Sequence, residues 1–173
     1  MMMSKESVLK TLGVDSGRLR LTRTQEIAEV TANMAAQARR ELLIQDPRLD
    51  PNLYDQTPFL QAVKSLALAR PGVCVRALLS DSRAATQGGH RLIEMARRLT
   101  SRIAIQRLAD EDQDTFEAVL IVDATGYVQR RPNSGLEAIA DYDDSPTARR
   151  RRLEFEERWE RSSVDTELRQ LFI

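Results

Sequence analysis

The sequence predicts an α/β domain, a mixed β-sheet with helices on both faces. Short apolar runs of strand length alternate with stretches whose apolar residues recur every three or four positions. Pro-Gly, Gly-Gly and Asp-rich segments punctuate that alternation. One tight polar turn, Asp123-Ala124-Thr125-Gly126, joins two strand-like runs as a hairpin, so the sheet cannot be wholly parallel.

The elements follow in order. Residues 1–22 lack clear periodicity and read as a partly ordered N-terminal arm, leaving 23–173 as a single domain. Thr24 reads as an N-cap before Ile27, Val30, Met34 and Ala38, the apolar face of a helix ending near Arg40. Leu42-Leu43-Ile44 is a buried strand, and the segment from Asp46 to Asp55, with Pro47 and Pro51, a loop. A second helix begins at Thr57-Pro58, where the missing proline N–H is harmless, and breaks at Pro71-Gly72. Val73 to Leu79 is the next strand, followed by a loop, Gly88-Gly89, and a helix carrying Leu92, Met95, Ala96 and Leu99. Ile103 and Ile105 alternate in a third strand, and an acidic loop from Ala109 to Asp114 follows. Phe116 to Val122 and Tyr127 to Gln129 form the hairpin, and residues 132–146 are loop-like around a short apolar stretch. Thr147 to Arg161 is a charged helix, and Asp165 caps a last short helix burying Leu168, Leu171 and Phe172. The first three strands should be parallel, joined by right-handed crossovers. The expected core includes Leu43, Val73, Val75, Leu78, Ile103, Val119 and Ile121.

Composition removes several function classes. The chain has 173 residues, 42% hydrophobic and 30% charged, enough to bury a core without metals or disulfides. Lys+Arg and Asp+Glu are both 26, so no global field draws it to nucleic acid or an anionic membrane. One Cys and one His exclude a disulfide scaffold and a His/Cys metal site within one chain. No cofactor and no metal are implied. No signal peptide and no 18-residue apolar run are visible, so the cytoplasm is the expected compartment. Cys74, between Val73 and Val75, reads as a buried inert thiol.

From about residue 25 to 162 the pattern resembles one repeat of the phospholipase D-like superfamily. The carriers are Ala38-Arg39-Arg40-Glu41-Leu42-Leu43-Ile44 at a helix-to-strand entry and Pro71-Gly72-Val73-Cys74-Val75-Arg76-Ala77-Leu78-Leu79 as a second strand. The spacing Phe155, Trp159, Ser162 is similar to that family's closing helix. The resemblance implies a sandwich with a strand-borne motif, H-x-K-x(4)-D-x(6)-G-S-x-N. In that motif the His attacks phosphorus, the Lys and Asn hold phosphate oxygens, and the Asp supports a His. On a strand, residues two apart face one side, so His and Lys reach the phosphate together.

Here the motif positions read Phe116, Ala118, Asp123 and Asn133, with Arg130-Arg131 in place of Gly-Ser. Phenyl cannot attack phosphorus and a methyl cannot donate a hydrogen bond. No H-x-K occurs anywhere, because the only His is His90 and position 92 is Leu. The expectation is a non-catalytic relative acting as a binding, scaffold or regulatory module, with no catalytic residues. The alternative is a phosphodiesterase or nuclease completed by a partner chain, or using His90. Asp123 and Asn133 read first as turn-forming residues. Arg130, Arg131 and His90 are the candidate anion-binding residues, although His90 reads first as a surface residue near a helix start. Arg149 to Arg152, interleaved with Glu154, Glu156, Glu157 and Glu160, reads as a solvated, self-paired helix face. It argues against a nucleic-acid partner. Asp141-Tyr142-Asp143-Asp144 lacks the Gly and the final Glu of a calcium loop. Active members of the family pair two motifs, so a homodimer or an unknown protein partner is expected, and no membrane.

Overall fold

The computed structural model describes residues 8–115, 117–130, 137–165 and 168. Seven strands form one mixed sheet: β1 (Leu19–Leu21), β2 (Leu42–Gln45), β3 (Val75–Leu79), β4 (Ile103–Arg107), β5 (Val119–Val122), β6 (Gly126–Arg130) and β7 (Ala138–Asp141). Their spatial order is β1-β7-β6-β5-β2-β3-β4. β2, β3 and β4 run parallel, and the remaining pairs are antiparallel. The mixed α/β architecture and the parallel trio therefore stand as the sequence predicted.

The helices are α1 (Thr24–Ala36), α2 (Pro51–Tyr54), α3 (Thr57–Ala69), α4 (Arg83–Gln87), α5 (Arg91–Arg98) and α6 (Ser145–Arg161). Each strand's alternation divides the core in two. Leu42, Ile44, Val75, Ala77, Leu79, Leu120 and Val122 pack with the apolar stripes of α1 and α3. Leu43, Leu78, Val119, Ile121 and Tyr127 face the other way, onto Ala148 and Phe155 of α6.

Several boundaries differ from the sequence reading. The N-terminal arm ends in strand β1, which pairs with β7, and Leu21 is fully buried. The apolar stretch before Asp141 is strand β7, too short to display its alternation in sequence. Helix α1 starts one residue early, with Arg23 in extended conformation before it and no side-chain cap. Val73 is 49% exposed, because the strand begins only at Val75, where pairing with Ile103 starts. The rest of the expected core is buried. The last short helix lies outside the described residues except Leu168, which is buried.

Helix α6 binds its sheet face mainly through charge. Only Ala148 and Phe155 of this helix are buried. Arg76 of β3 pairs with Glu156 and lies 3.8 Å from Glu41, which in turn pairs with Arg152. The Arg76 guanidinium sits 5.3 Å from the centroids of both Phe155 and Trp159, whose rings stack 5.7 Å apart. Arg151 pairs with Glu117 and donates to Gln129, and Arg158 donates to Gln45. Arg151 and Arg152 thus point at the sheet, while Arg149 and Arg150 are exposed and Arg152 also pairs with Glu156 along the helix, so the solvated, self-paired face is only part of the run.

Candidate functional site

The residues that the sequence reading aligned with the motif fall at two opposite ends of the β5–β6 hairpin. Val119 pairs with Gln129, and the Arg130 N–H donates to the Ala118 carbonyl at 2.9 Å, so Ala118 and Arg130 are neighbours across the two strands. On the other side of β5, Gln45 of β2 pairs with Val119, which puts Asp46 beside Ala118. Arg130, Ala118 and Asp46 therefore form one row across β6, β5 and β2, and residues in a row share a face. Phe116, Arg131 and Asn133, the remaining candidates of this region, lie outside the described residues.

The row explains where Arg130 goes. Ala118 carries only a methyl, so the longer side chain crosses above it toward β2. Arg130 Nη1 donates to Asp50 Oδ2 at 2.7 Å and lies 3.7 Å from Asp46 Oδ2. Both acids are fixed from behind. Asp46 Oδ1 accepts the N–H groups of Arg48 and Asp50, and Asp50 Oδ1 caps α2 through the Asn52 N–H. Asp46 is 2% exposed, and its Oδ2 has no hydrogen-bond partner. Burial pushes its carboxyl above the ordinary range, against the lowering effect of the two backbone N–H groups and Arg130. Tyr54, buried in the same corner, has its phenol pushed well above its usual value by burial and then by Asp46.

His90 supports this corner from below. It is 3% exposed, so it is not the surface residue the sequence suggested. Its Nε2–H donates to the Leu49 carbonyl at 2.9 Å, and Nδ1 accepts the Leu92 N–H as the cap of α5. Both ring nitrogens are occupied, and burial lowers its tendency to take a proton. A neutral, doubly engaged imidazole neither attacks phosphorus nor holds an anion. It fixes Leu49, whose φ of 57° makes the turn between the two acids.

Asp123 stands at the far end of the hairpin. Its carboxylate accepts the backbone N–H groups of Arg39, Arg40 and Glu41 at 2.8–2.9 Å. It is a clamp on the entry to β2. Among the described residues, no group of three His, Cys, Asp or Glu side chains is placed to hold a metal ion.

Asp46, Asp50 and Tyr54 were not singled out from the sequence, which read them as a proline-containing loop. Their signal is Asp50-Pro51, a cap followed by a first-turn proline. It marks a short helix just after a strand, where α/β sheets place their sites.

Residues 23–171 match the family described as "Domain of unknown function (DUF7931)". No curated protein matches the sequence. NucT from Helicobacter pylori is 11% identical with a TM-score of 0.61, covering 87% of this chain and 100% of that one. Nuc, a phospholipase D family member from Salmonella typhimurium, is 11% identical with a TM-score of 0.58, covering 86% and 97%. The archaeal chromatin protein TrmBL2, whose structure shows a novel mode of DNA binding, is 15% identical with a TM-score of 0.62. The match covers 91% of this chain but only 57% of TrmBL2. The fold is phospholipase D-like, as the resemblance implied.

Proposed function

We propose that this chain, which belongs to the DUF7931 family, is a non-catalytic binding module built on a phospholipase D-like fold. The observation that carries the reading is the row Arg130, Ala118, Asp46. Where the family's motif places a lysine, a methyl leaves room for an arginine that is neutralised by two acids of its own chain. Among the described residues of this corner, neither the imidazole nor the phenol is free to act as a nucleophile. The only His of the chain is buried and engaged, and the Tyr54 phenol is held too firmly protonated to attack.

Phosphoryl transfer through a covalent intermediate needs both a nucleophile and cations on the phosphate oxygens. Losing the nucleophile alone costs several powers of ten in rate. A single-turnover assay at high protein concentration, on single-stranded DNA and on a chromogenic phosphodiester, tests the reading. The expected result is no hydrolysis above background. Turnover that survives His90→Ala and disappears in Arg130→Gln would overturn it in favour of a phosphodiesterase or nuclease.

The architecture implied for a single-repeat chain is a two-fold homodimer, and light scattering at tens of micromolar should give twice the chain mass. No helix among the described residues is long and apolar enough to cross a membrane. The DNA-binding neighbour TrmBL2 makes single-stranded and duplex DNA the first macromolecules to test for binding without turnover.

A further inference from the structure

We propose that the open cavity between the N-terminal arm, the end of α1 and the β5–β6 turn binds a phosphate monoester through Arg39 and Arg40. The site lies at the end of the hairpin away from Arg130. It goes beyond the binding-module reading by giving the module a ligand class.

The cavity has a volume of about 530 Å³, and Thr11, Gly13, Arg39, Arg40, Asp123 and Thr125 line it. Its walls are pinned to one another. The Leu12 N–H donates to Gln37 Oε1 at 2.8 Å, and Gln37 Nε2 donates to the Lys10 carbonyl at 3.0 Å, so the arm is tied to the end of α1. The Gly13 N–H donates to the Tyr142 carbonyl at 2.9 Å. A recess held in this way needs little ordering when a ligand enters.

The same hydrogen bonds leave two cations over. Three consecutive N–H groups, of Arg39, Arg40 and Glu41, converge on the Asp123 carboxylate and bend the chain there. On a strand two neighbouring side chains would point to opposite faces, but across this bend both arginines line one cavity. Both are exposed, and neither guanidinium makes a hydrogen bond or ion pair among the described residues. The carbonyls that end α1 do not engage them either. Met34 and Ala35 accept from the Gln37 and Ala38 N–H groups, and Asn33 accepts from the Gln37 side chain.

The charges favour an anion. Arg39 and Arg40 face one acid of the cavity wall, Asp123, whose oxygens are occupied by backbone. Asp15, beyond the rim, is likewise turned to a backbone N–H, that of Thr11, and Lys10 lies next to Thr11 in the chain to offset it. Two guanidinium forks match the several oxygens of a tetrahedral anion, and Thr11 adds a hydroxyl. A phosphate monoester carries about 1.5–2 negative charges at neutral pH, enough to engage both arginines. A carboxylate or a phosphodiester carries one. The cavity is of the size that holds a small organic ligand, so it has room for the body that bears the phosphate.

The test is a titration of the full chain above the second phosphate pKa of about 6, followed by nitrogen–proton NMR. Methyl phosphate is the probe. Acetate, dimethyl phosphate and a single-stranded oligonucleotide without a terminal phosphate are the comparison arms. The expected result is a saturable shift of the Thr11, Gly13 and Thr125 amides and of the Arg39 and Arg40 Nε–H groups. Methyl phosphate should bind about tenfold more tightly than acetate or dimethyl phosphate. Arg39→Gln and Arg40→Gln should each weaken it by about tenfold. Both variants keep the backbone N–H that Asp123 accepts, so their unfolding midpoints should match wild type. Arg23→Gln, which removes an exposed charge at the other end of α1, should leave binding unchanged. No saturable shift, shifts away from these residues, or equal weakening by Arg23→Gln overturns the site. Equal affinity for either monoanion, or for the oligonucleotide, overturns the monoester assignment. Hydrolysis of the chromogenic diester would instead overturn the non-catalytic reading, and the methyl phosphate titration would still decide this one.

Discussion

The carboxylate of Asp123 accepts the backbone N–H of Arg40 at 2.8 Å, across 83 residues of sequence. The N–H groups of Arg39 and Glu41 converge on the same side chain. Asp123, the residue aligned with the motif's aspartate, therefore shapes backbone, at the end of the hairpin away from Arg130. Asp123→Ala is expected to lower stability by about 2–3 kcal/mol, since each hydrogen bond to a charged acceptor is worth roughly 1.5–3 kcal/mol and these are partly solvated. Asp123→Asn should cost clearly less, because one oxygen still accepts. Denaturant unfolding checks both, and an unchanged midpoint for the alanine variant would remove the clamp from the account.

The turn beside it carries strain. Asp123 and Ala124 have φ of 54° and 51°, a left-handed pair at the centre of the turn closed by the Thr125 N–H on the Val122 carbonyl, within the three-residue loop between paired Val122 and Gly126. Asp tolerates that region and Ala does not. Ala124→Gly should raise stability by about 0.5–1 kcal/mol, the relief of strain less the extra entropy glycine loses on folding. Thermal unfolding would show the rise, and a lower melting temperature would contradict it.

Gly126 makes the opposite case two residues on. A Cβ there would stand 2.7 Å from a Leu12 methyl, 2.9 Å from the Met34 sulfur and 3.1 Å from the Asp141 carbonyl. The arm, α1 and β7 meet at this glycine. Gly126→Ala is expected to cost about 1–3 kcal/mol by overpacking. Hydrogen exchange should then quicken in residues 11–21 before the parallel strands.

What could be read in the sequence follows from how local each signal is. The strands β2, β3 and β5 are apolar on both faces and stand out without context, as does α3 with its first-turn proline. β1 and β7 are three and four residues long, and tertiary pairing fixes them, β1 on β7 and β7 between β1 and β6. That the chain has one His and no H-x-K was legible as letters. That Arg130 crosses Ala118 to reach Asp46 was not, because the row spans three strands whose register only tertiary pairing fixes. His90 was misplaced for a similar reason. A polar residue after two glycines looks exposed until Leu49 is brought over it.

The α6 network predicts a specific difference between Arg and Lys at position 76. The guanidinium is planar, faces both Phe155 and Trp159, and donates from two nitrogens to Glu156. Its hydrogen bond holds the Glu156 carboxyl below the usual carboxylate range, although burial opposes this. Arg76→Lys keeps the charge but loses the stack and the fork, and should cost about 1–2 kcal/mol. A lowered carboxylate pKa gives stability that is present above the unfolded value and fades as pH falls through the folded one. The gap between wild type and Arg76→Lys should therefore narrow on acidification. A gap that stays constant down to the acid transition would mean that stacking alone accounts for it.

Asp46 has the opposite sign. Burial raises its folded pKa, so the native state holds the proton more tightly than the unfolded chain does. Such a group contributes stability that is fully present below the unfolded pKa and lost as pH rises through the folded value. Ionising the carboxylate therefore carries a cost in the folded chain, and Oδ2 has no hydrogen-bond partner. Asp46→Asn keeps an oxygen for the N–H groups of Arg48 and Asp50 and carries no charge to desolvate. The variant should match or exceed wild-type stability at neutral pH and lose that advantage in acid. Arg130 would still be anchored by Asp50. Denaturant midpoints across the acid-to-neutral range provide the measurement. A variant that is less stable at neutral pH and more stable in acid would show that Oδ2 makes a favourable contact as an anion, and that the corner is wired differently from the row drawn here.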